Sequence, residues 1–166
     1  MQLLARAVLA MCIAVTCAGC YEAAFPLDPA PQAPLDAKLF GTWRCISASA
    51  NSEAANLIIR RARDGVYAAS IVEDDKSTDT YEAYASVVGG NTVLNVQELK
   101  ASKTPWVYGR YELLKPDLFQ FQVASDDVLK GVEKSAAAVR RAIERQRADP
   151  ALFEDGITCV RIKDAK

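Results

Sequence analysis

The side chains best suited to covalent chemistry in this chain are its five cysteines, Cys12, Cys17, Cys20, Cys45 and Cys159. A thiolate can be acylated, can pair in a disulfide, or can bind a soft metal. The chain contains no histidine. That excludes every nucleophile activated by an imidazole, whether Ser-His or Cys-His. It also removes the usual zinc and copper ligand. No glycine-rich phosphate loop is present, since Gly89-Gly90 is only two residues at a hairpin position. Glu73, Asp74, Asp75 and Asp79 crowd one turn and can hold a calcium ion. They lack the spacing of an EF-hand loop, and a solvated acidic turn is the simpler reading. The chain is therefore expected to be non-enzymatic, with no catalytic residues, no metal site and no cofactor.

The segments that position the cysteines begin with a secretory signal. Arg6 and the amine make a short positive region, Ala7 to Val15 is almost purely apolar, and small residues lead into Cys20. The run is well short of the roughly 20 residues a spanning helix needs. Thr16-Cys17-Ala18-Gly19-Cys20 resembles the lipobox of bacterial lipoproteins, with Cys17 where that family usually carries Leu. The resemblance implies that residues 1–19 are a signal peptide, that Cys20 is diacylated, and that its new amine is acylated after cleavage, palmitate being a typical chain. The partner so implied is a membrane, reached through the lipid on Cys20. Tyr21 is not the Asp that retains enterobacterial lipoproteins in the inner membrane. The resemblance therefore implies the outer membrane, with the protein facing the periplasm. An ordinary secretory signal, cut near Ala18 or Gly19 and leaving Cys20 as a thiol, is the alternative.

Pro26, Pro29, Pro31 and Pro34 fall within a short stretch. Proline lacks an N–H and restricts the residue before it, so residues 20–36 are predicted to be an extended tether. Residues 37–166 are the size of one domain with its own core. A net charge of −1 supplies no basic face, so nucleic acid is not an expected partner. Arg60, Arg61 and Arg63, and separately Arg140, Arg141, Arg145 and Arg147, are candidates for an anionic partner, with an ordinary solvated face as the simpler reading. Cys45 and Cys159 are the only cysteines of the expected domain. In an exported chain they are predicted to pair. A redox-active or metal-binding pair is the alternative, without a Cys-x-x-Cys spacing to support it.

Short β-rich runs broken by turn residues span 39–123. Leu39–Ser47, Asn56–Arg63, Val66–Glu73, Thr80–Val88, Thr92–Leu99, Pro105–Leu114 and Leu118–Ala124 read as seven strands of an antiparallel meander. Asp64-Gly65 and Gly89-Gly90-Asn91 mark tight turns. Leu129, Val132, Ala136, Val139 and Ile143 then recur at spacings of three and four, so one helix is predicted from Val128, capped by Asp126 or Asp127 and stopped by Asp149-Pro150. Ile157–Lys163 is a last strand. A bridge between Cys45 and Cys159 brings the first and last strands together, and a meander whose ends meet is a closed barrel. If the two strands are antiparallel neighbours, Trp43 sits opposite Arg161, a cation–π pair. An α+β open curved sheet with one packed helix is the alternative.

Gly41-Thr42-Trp43 resembles the Gly-x-Trp signature of lipocalin-like barrels. A small-barrel inhibitor of secreted metalloproteases starts with the same motif. The lipocalin-like resemblance implies a mainly β barrel in which Trp43 closes one end beside Arg161. It also implies a non-enzymatic envelope protein that binds a small apolar molecule. Tyr67, Trp106, Tyr108, Phe119 and Phe121, with Tyr81, Tyr84 and Tyr111, lie on predicted strands. They can line such a pocket or fill the barrel. The alternative function is a protein-interaction module, such as an envelope assembly accessory or a protease inhibitor. That role calls for an exposed patch around Trp106 or a protruding N-terminal segment.

Overall fold

The computed structural model describes residues 21–47, 54–73, 77–99, 105–132 and 134–162. Nine strands form one sheet: β1 (Glu22–Ala23), β2 (Gly41–Ser47), β3 (Ala55–Arg63), β4 (Val66–Glu73), β5 (Ser77–Val88), β6 (Asn91–Glu98), β7 (Trp106–Lys115), β8 (Leu118–Ala124) and β9 (Phe153–Arg161). Every pairing is antiparallel, from β2 through β8 as a meander, with β9 between β8 and β2. Strands β2 to β9 therefore close an eight-stranded barrel. Closure leaves no barrel strand with a free edge along its whole length. Cys45 and Cys159 are directly opposite in the β2–β9 register and are bonded.

Side chains alternate between the two faces of each strand. One set, including Trp43, Leu57, Ile59, Tyr67, Ala83, Ala85, Leu94, Phe119 and Cys159, forms the cluster that lines the bore. The opposite set on β5, β6 and β7 is also partly buried, with Ser86 and Asn95 as fully buried polar members. Val88, Val93 and Tyr108 belong to a second cluster with Leu129, Val139, Ile143, Leu152 and Phe153. This outer wall is covered rather than solvated.

Helices make one part of the cover. Two are present where one is predicted: α1 (Asp126–Leu129) and α2 (Ala136–Arg145). The break falls at Gly131, which takes φ 80°. A positive φ cannot continue a right-handed helix, and Ser135 then caps α2 by accepting from the Ala138 N–H. Ala138, Val139, Ala142 and Ile143 form the buried stripe of α2.

The N-terminal segment makes the other part. Residues 21–36 do not extend away from the domain as a tether would. β1 pairs with β7 at Glu22–Val107 and Ala23–Trp106, and the Tyr21 N–H donates to the Ala124 carbonyl at 2.9 Å. The Leu27 N–H donates to Asn95 Oδ1 at 2.7 Å, and Leu27 is 3 % exposed. Tyr84 and Tyr108 donate their hydroxyls to the Asp28 and Phe25 carbonyls. The Asp28 carboxylate meets Arg140 of α2 at 2.7 Å. The chain then turns inward: the Gln32 N–H bonds the Ala85 carbonyl, and Ala33 and Leu35 pack on the bore cluster. The physical reason is that the prolines set extended backbone without deciding where it lies. The apolar side chains between them, and carbonyls open to donors on the barrel, hold the segment down as a strap.

Candidate functional site

At one end the barrel is closed by residues from both termini of the described chain. Trp43 is fully buried, and its Nε1–H donates to the Leu39 carbonyl at 2.9 Å. Arg161 pairs with Trp43 in the ladder, and its guanidinium lies 4.0 Å from the indole centroid. That guanidinium also donates to the Phe40 and Lys38 carbonyls. A β carbon at Gly41 would come within 2.6 Å of Arg161 Nη1, so a side chain there would push the arginine off the ring. The first glycine of the Gly-x-Trp motif is thus a close-approach position. Asp36 adds a polar lock: its N–H donates to Tyr67 Oη at 2.6 Å, and Tyr111 Oη donates to its carboxylate at 3.1 Å. Burial first, and then the Asp36 charge, push the Tyr111 hydroxyl far above the ordinary tyrosine range.

The candidate aromatic residues separate into two groups. Tyr67, Phe119 and Phe121 belong to the bore, where Phe119 meets Trp43 edge-on at 4.6 Å between centroids. Trp106 and Tyr108 lie on the outer wall under the strap. Tyr108 has no exposed surface, and Tyr21 stacks against it at 6.1 Å. The expected pocket lined by all five therefore does not form. The exposed patch expected around Trp106 is replaced by a half-buried ring packed edge-on against Tyr84. The arginines also separate. Arg63 grips Glu82 with both terminal nitrogens, at 2.6 and 2.9 Å, whereas Arg140 ties the strap to α2. Of the acidic turn, Asp74 and Asp75 lie outside the described residues, as does Cys20, the expected lipid site.

Recesses lined by described residues mark the outer surface. One, of about 400 Å³, lies between α1 and α2 and has Lys130, Arg141 and Arg145 on its rim. The other, of about 380 Å³, has a specific structural origin. The β6–β7 ladder runs only from Leu94–Gly109 to Gln97–Trp106, although β6 begins at Asn91 and β7 continues to Lys115. Beyond Gly109 the two strands part, and β7 pairs with β8 alone. Gly109, where the ladder ends, is a close-approach position toward β8: a β carbon there would fall 2.3 Å from the Phe121 ring and 2.7 Å from the Gln122 carbonyl oxygen. Asn91, Thr92 and Val93 form one side of the opening and Arg110 and Tyr111 the other. Ile143 and Arg147 of the α2 region, with Leu152 and Phe153, close it from outside. Of these, Tyr111 stood out in the sequence as a strand aromatic, Arg147 as a candidate for an anionic partner, Ile143 on the predicted helix stripe and Asn91 in a turn; Arg110 did not. No local pattern signals a ladder that stops early.

No protein-family model, no curated protein and no solved structure matches this chain. The closed antiparallel barrel is the architecture that a lipocalin-like resemblance calls for, and the fold is compatible with a binding role.

Proposed function

We propose that this protein is a non-catalytic cell-envelope lipoprotein. A lipid on Cys20 anchors it, facing the periplasm from the outer membrane, and its barrel binds a small apolar molecule. The observation that carries the reading is the strap. Tyr21, the residue after the expected lipid site, is already buried and bonded to the barrel. A lipid on Cys20 would therefore hold the domain against the membrane without a spacer. Two places suit the ligand: the bore, where Ile71, Phe121 and Ile157 are only partly buried, and the recess at the β6–β7 split, which lies within the size range of small-molecule sites. Extraction of protein purified from membranes into organic solvent, followed by mass spectrometry, tests the reading. A stoichiometric small molecule released from the folded protein and absent from a heat-denatured control supports it. An empty extract counts against ligand binding.

One observation favours the interaction-module reading. Ile46 and Val160 are 54 % and 51 % exposed on the outer face of the adjoining strands β2 and β9, away from the cover. Small exposed apolar pairs of this kind suit a protein contact when they extend into a patch. Cross-linking in intact cells through a photoreactive residue at position 46 tests that alternative.

A further inference from the structure

The two ends of the barrel differ in how they are closed and in where the chain from Cys20 reaches them. We propose that the end carrying α1 rests on the phospholipid surface that holds the Cys20 lipid, with the end closed by Trp43 and Arg161 pointing away from the membrane. The inference rests on the lipid-anchor part of the reading above and is independent of ligand binding.

The strand directions define the ends. Gly41, where β2 begins, and Arg161, where β9 ends, stand at the closed end. The turns from β3 to β4, from β5 to β6 and from β7 to β8 lie there too, because every pairing in the barrel is antiparallel. Each is a two-residue turn, at Asp64-Gly65, Gly89-Gly90 and Pro116-Asp117. Ala124, where β8 ends, Trp106, where β7 begins, and Phe153, where β9 begins, stand at the other end. There α1 follows directly on β8.

Cys20 is held at this second end. The Tyr21 N–H donates to the Ala124 carbonyl, and Glu22 and Ala23 pair with Val107 and Trp106, so β1 continues the lane of β8 past its last residue. Tyr21 is 7 % exposed and its ring stacks on Tyr108. One residue reaches at most about 3.6 Å, so a lipid on Cys20 stays beside Ala124 and α1. β8 runs from Leu118 to Ala124 and spans about 20 Å at the usual strand rise, which sets the Pro116-Asp117 turn that far from the lipid. A headgroup layer is only about 5–7 Å deep. A long tether would let the domain present any face to the bilayer, whereas a packed strap fixes which end is near.

Exposed apolar side chains do not choose between the ends. Leu99 is 50 % exposed at the α1 end, and Leu114 is 46 % exposed toward the closed end. The anchor chooses, and the α1 end offers side chains that suit an interface. Trp106 is a half-buried amphipathic ring of the type that settles at headgroup level, and Lys130 is exposed just after α1. Ile71 and Ile157, partly buried in the bore, lie toward this same end, opposite Asp79 and Ser47.

The test uses the full chain purified from membranes and returned to phosphatidylcholine vesicles that contain a lipid with a nitroxide on its headgroup. Single cysteines replace exposed residues in Lys130→Cys, Asp64→Cys and Asp117→Cys. Each takes a fluorophore without reduction, since the Cys45–Cys159 bridge is left closed. The two turn positions lie between β3 and β4 and between β7 and β8, on opposite sides of the eight-stranded barrel, so a barrel lying on its side brings one of them to the lipid. The label at 130 is expected to lose most of its emission, and those at 64 and 117 to keep theirs. Far-ultraviolet dichroism checks that each variant is folded, and flotation with the vesicles reads the anchor separately. Flotation with quenching at 64 or 117, or with none at 130, overturns the orientation and leaves the anchor standing. A chain that does not float overturns both.

Discussion

Replacing Leu27 by alanine tests whether the proline-rich segment is part of the fold. Leu27 is 3 % exposed and belongs to the cluster with Val93, Tyr108 and Val139. A leucine truncated in a packed core costs about 2–5 kcal/mol, depending on how far the site collapses. The strap lies on the outer wall and can settle toward it, so the lower half of that range applies, about 2–3 kcal/mol. For a domain of this length each kcal/mol moves the melting temperature by about 2–4 °C, so a fall of about 5–10 °C is expected. Urea unfolding followed by tryptophan fluorescence gives the free energy, and calorimetry gives the melting temperature. Val160→Ala, at a position 51 % exposed, is the control and should change little. A flexible tether predicts the same small change for Leu27. A loss below about 0.5 kcal/mol in Leu27→Ala would refute the packed strap.

Three further outcomes follow from other parts of the fold. The Cys45–Cys159 bridge spans 114 residues. By loop entropy its removal in Cys45→Ala with Cys159→Ala should cost about 4–5 kcal/mol, read as the drop in urea stability; a drop under about 1 kcal/mol would show that the barrel closes without it. Gly109→Ala places a methyl group against the Phe121 ring and the Gln122 backbone, and overpacking of that kind costs about 1–3 kcal/mol; unchanged stability would contradict the close approach of β7 and β8 at Gly109. Burial raises the pKa values of Tyr67, Tyr84, Tyr108 and Tyr111 above the reference 10.0. The unfolded chain then ionises first, so the stabilisation from these neutral hydroxyls is complete below pH 10 and declines as pH rises beyond it. Absorbance titration of phenolate against urea stability should show both changes together, and stability that holds level through the unfolding-linked ionisation would contradict the burial of these groups.

The barrel strands were legible because each depends on local chemistry. Asp64-Gly65 and Gly89-Gly90 can only turn, and Leu94 and Val96 alternate with Asn95 and Gln97 as a half-buried strand must. The arrangement of Trp43 beside Arg161 follows from the cysteines, since residues equally spaced from a directly opposed pair in an antiparallel ladder also face each other. The strap was not legible. Phe25, Leu27, Ala33 and Leu35 have no period, and the prolines among them have the composition of a linker. Their burial is decided by the outer wall of β5 to β7, where Val88, Val93, Trp106 and Tyr108 stand on a face that a solvated barrel would leave polar and Asn95 accepts from the Leu27 N–H. The same hidden wall explains Trp106 and Tyr108: alternation places them outside, and only the assembled strap covers them. Gly131 lies within the predicted helix, and its positive φ makes it the point where two helices separate. The recess at the split is the least legible feature, since it requires the ends of β6 and β7 to part, and no local pattern in either strand signals that.

The intact mass of the protein from a membrane fraction tests the central claim most directly, with alkylation before and after reduction. The account requires a chain that begins at Cys20, carries the mass of an S-linked diacylglyceryl group and one N-linked acyl chain, and takes two alkyl groups only after reduction. A chain that begins elsewhere, or that begins at Cys20 without added lipid, would contradict the anchor from which the strap holds the barrel to the membrane.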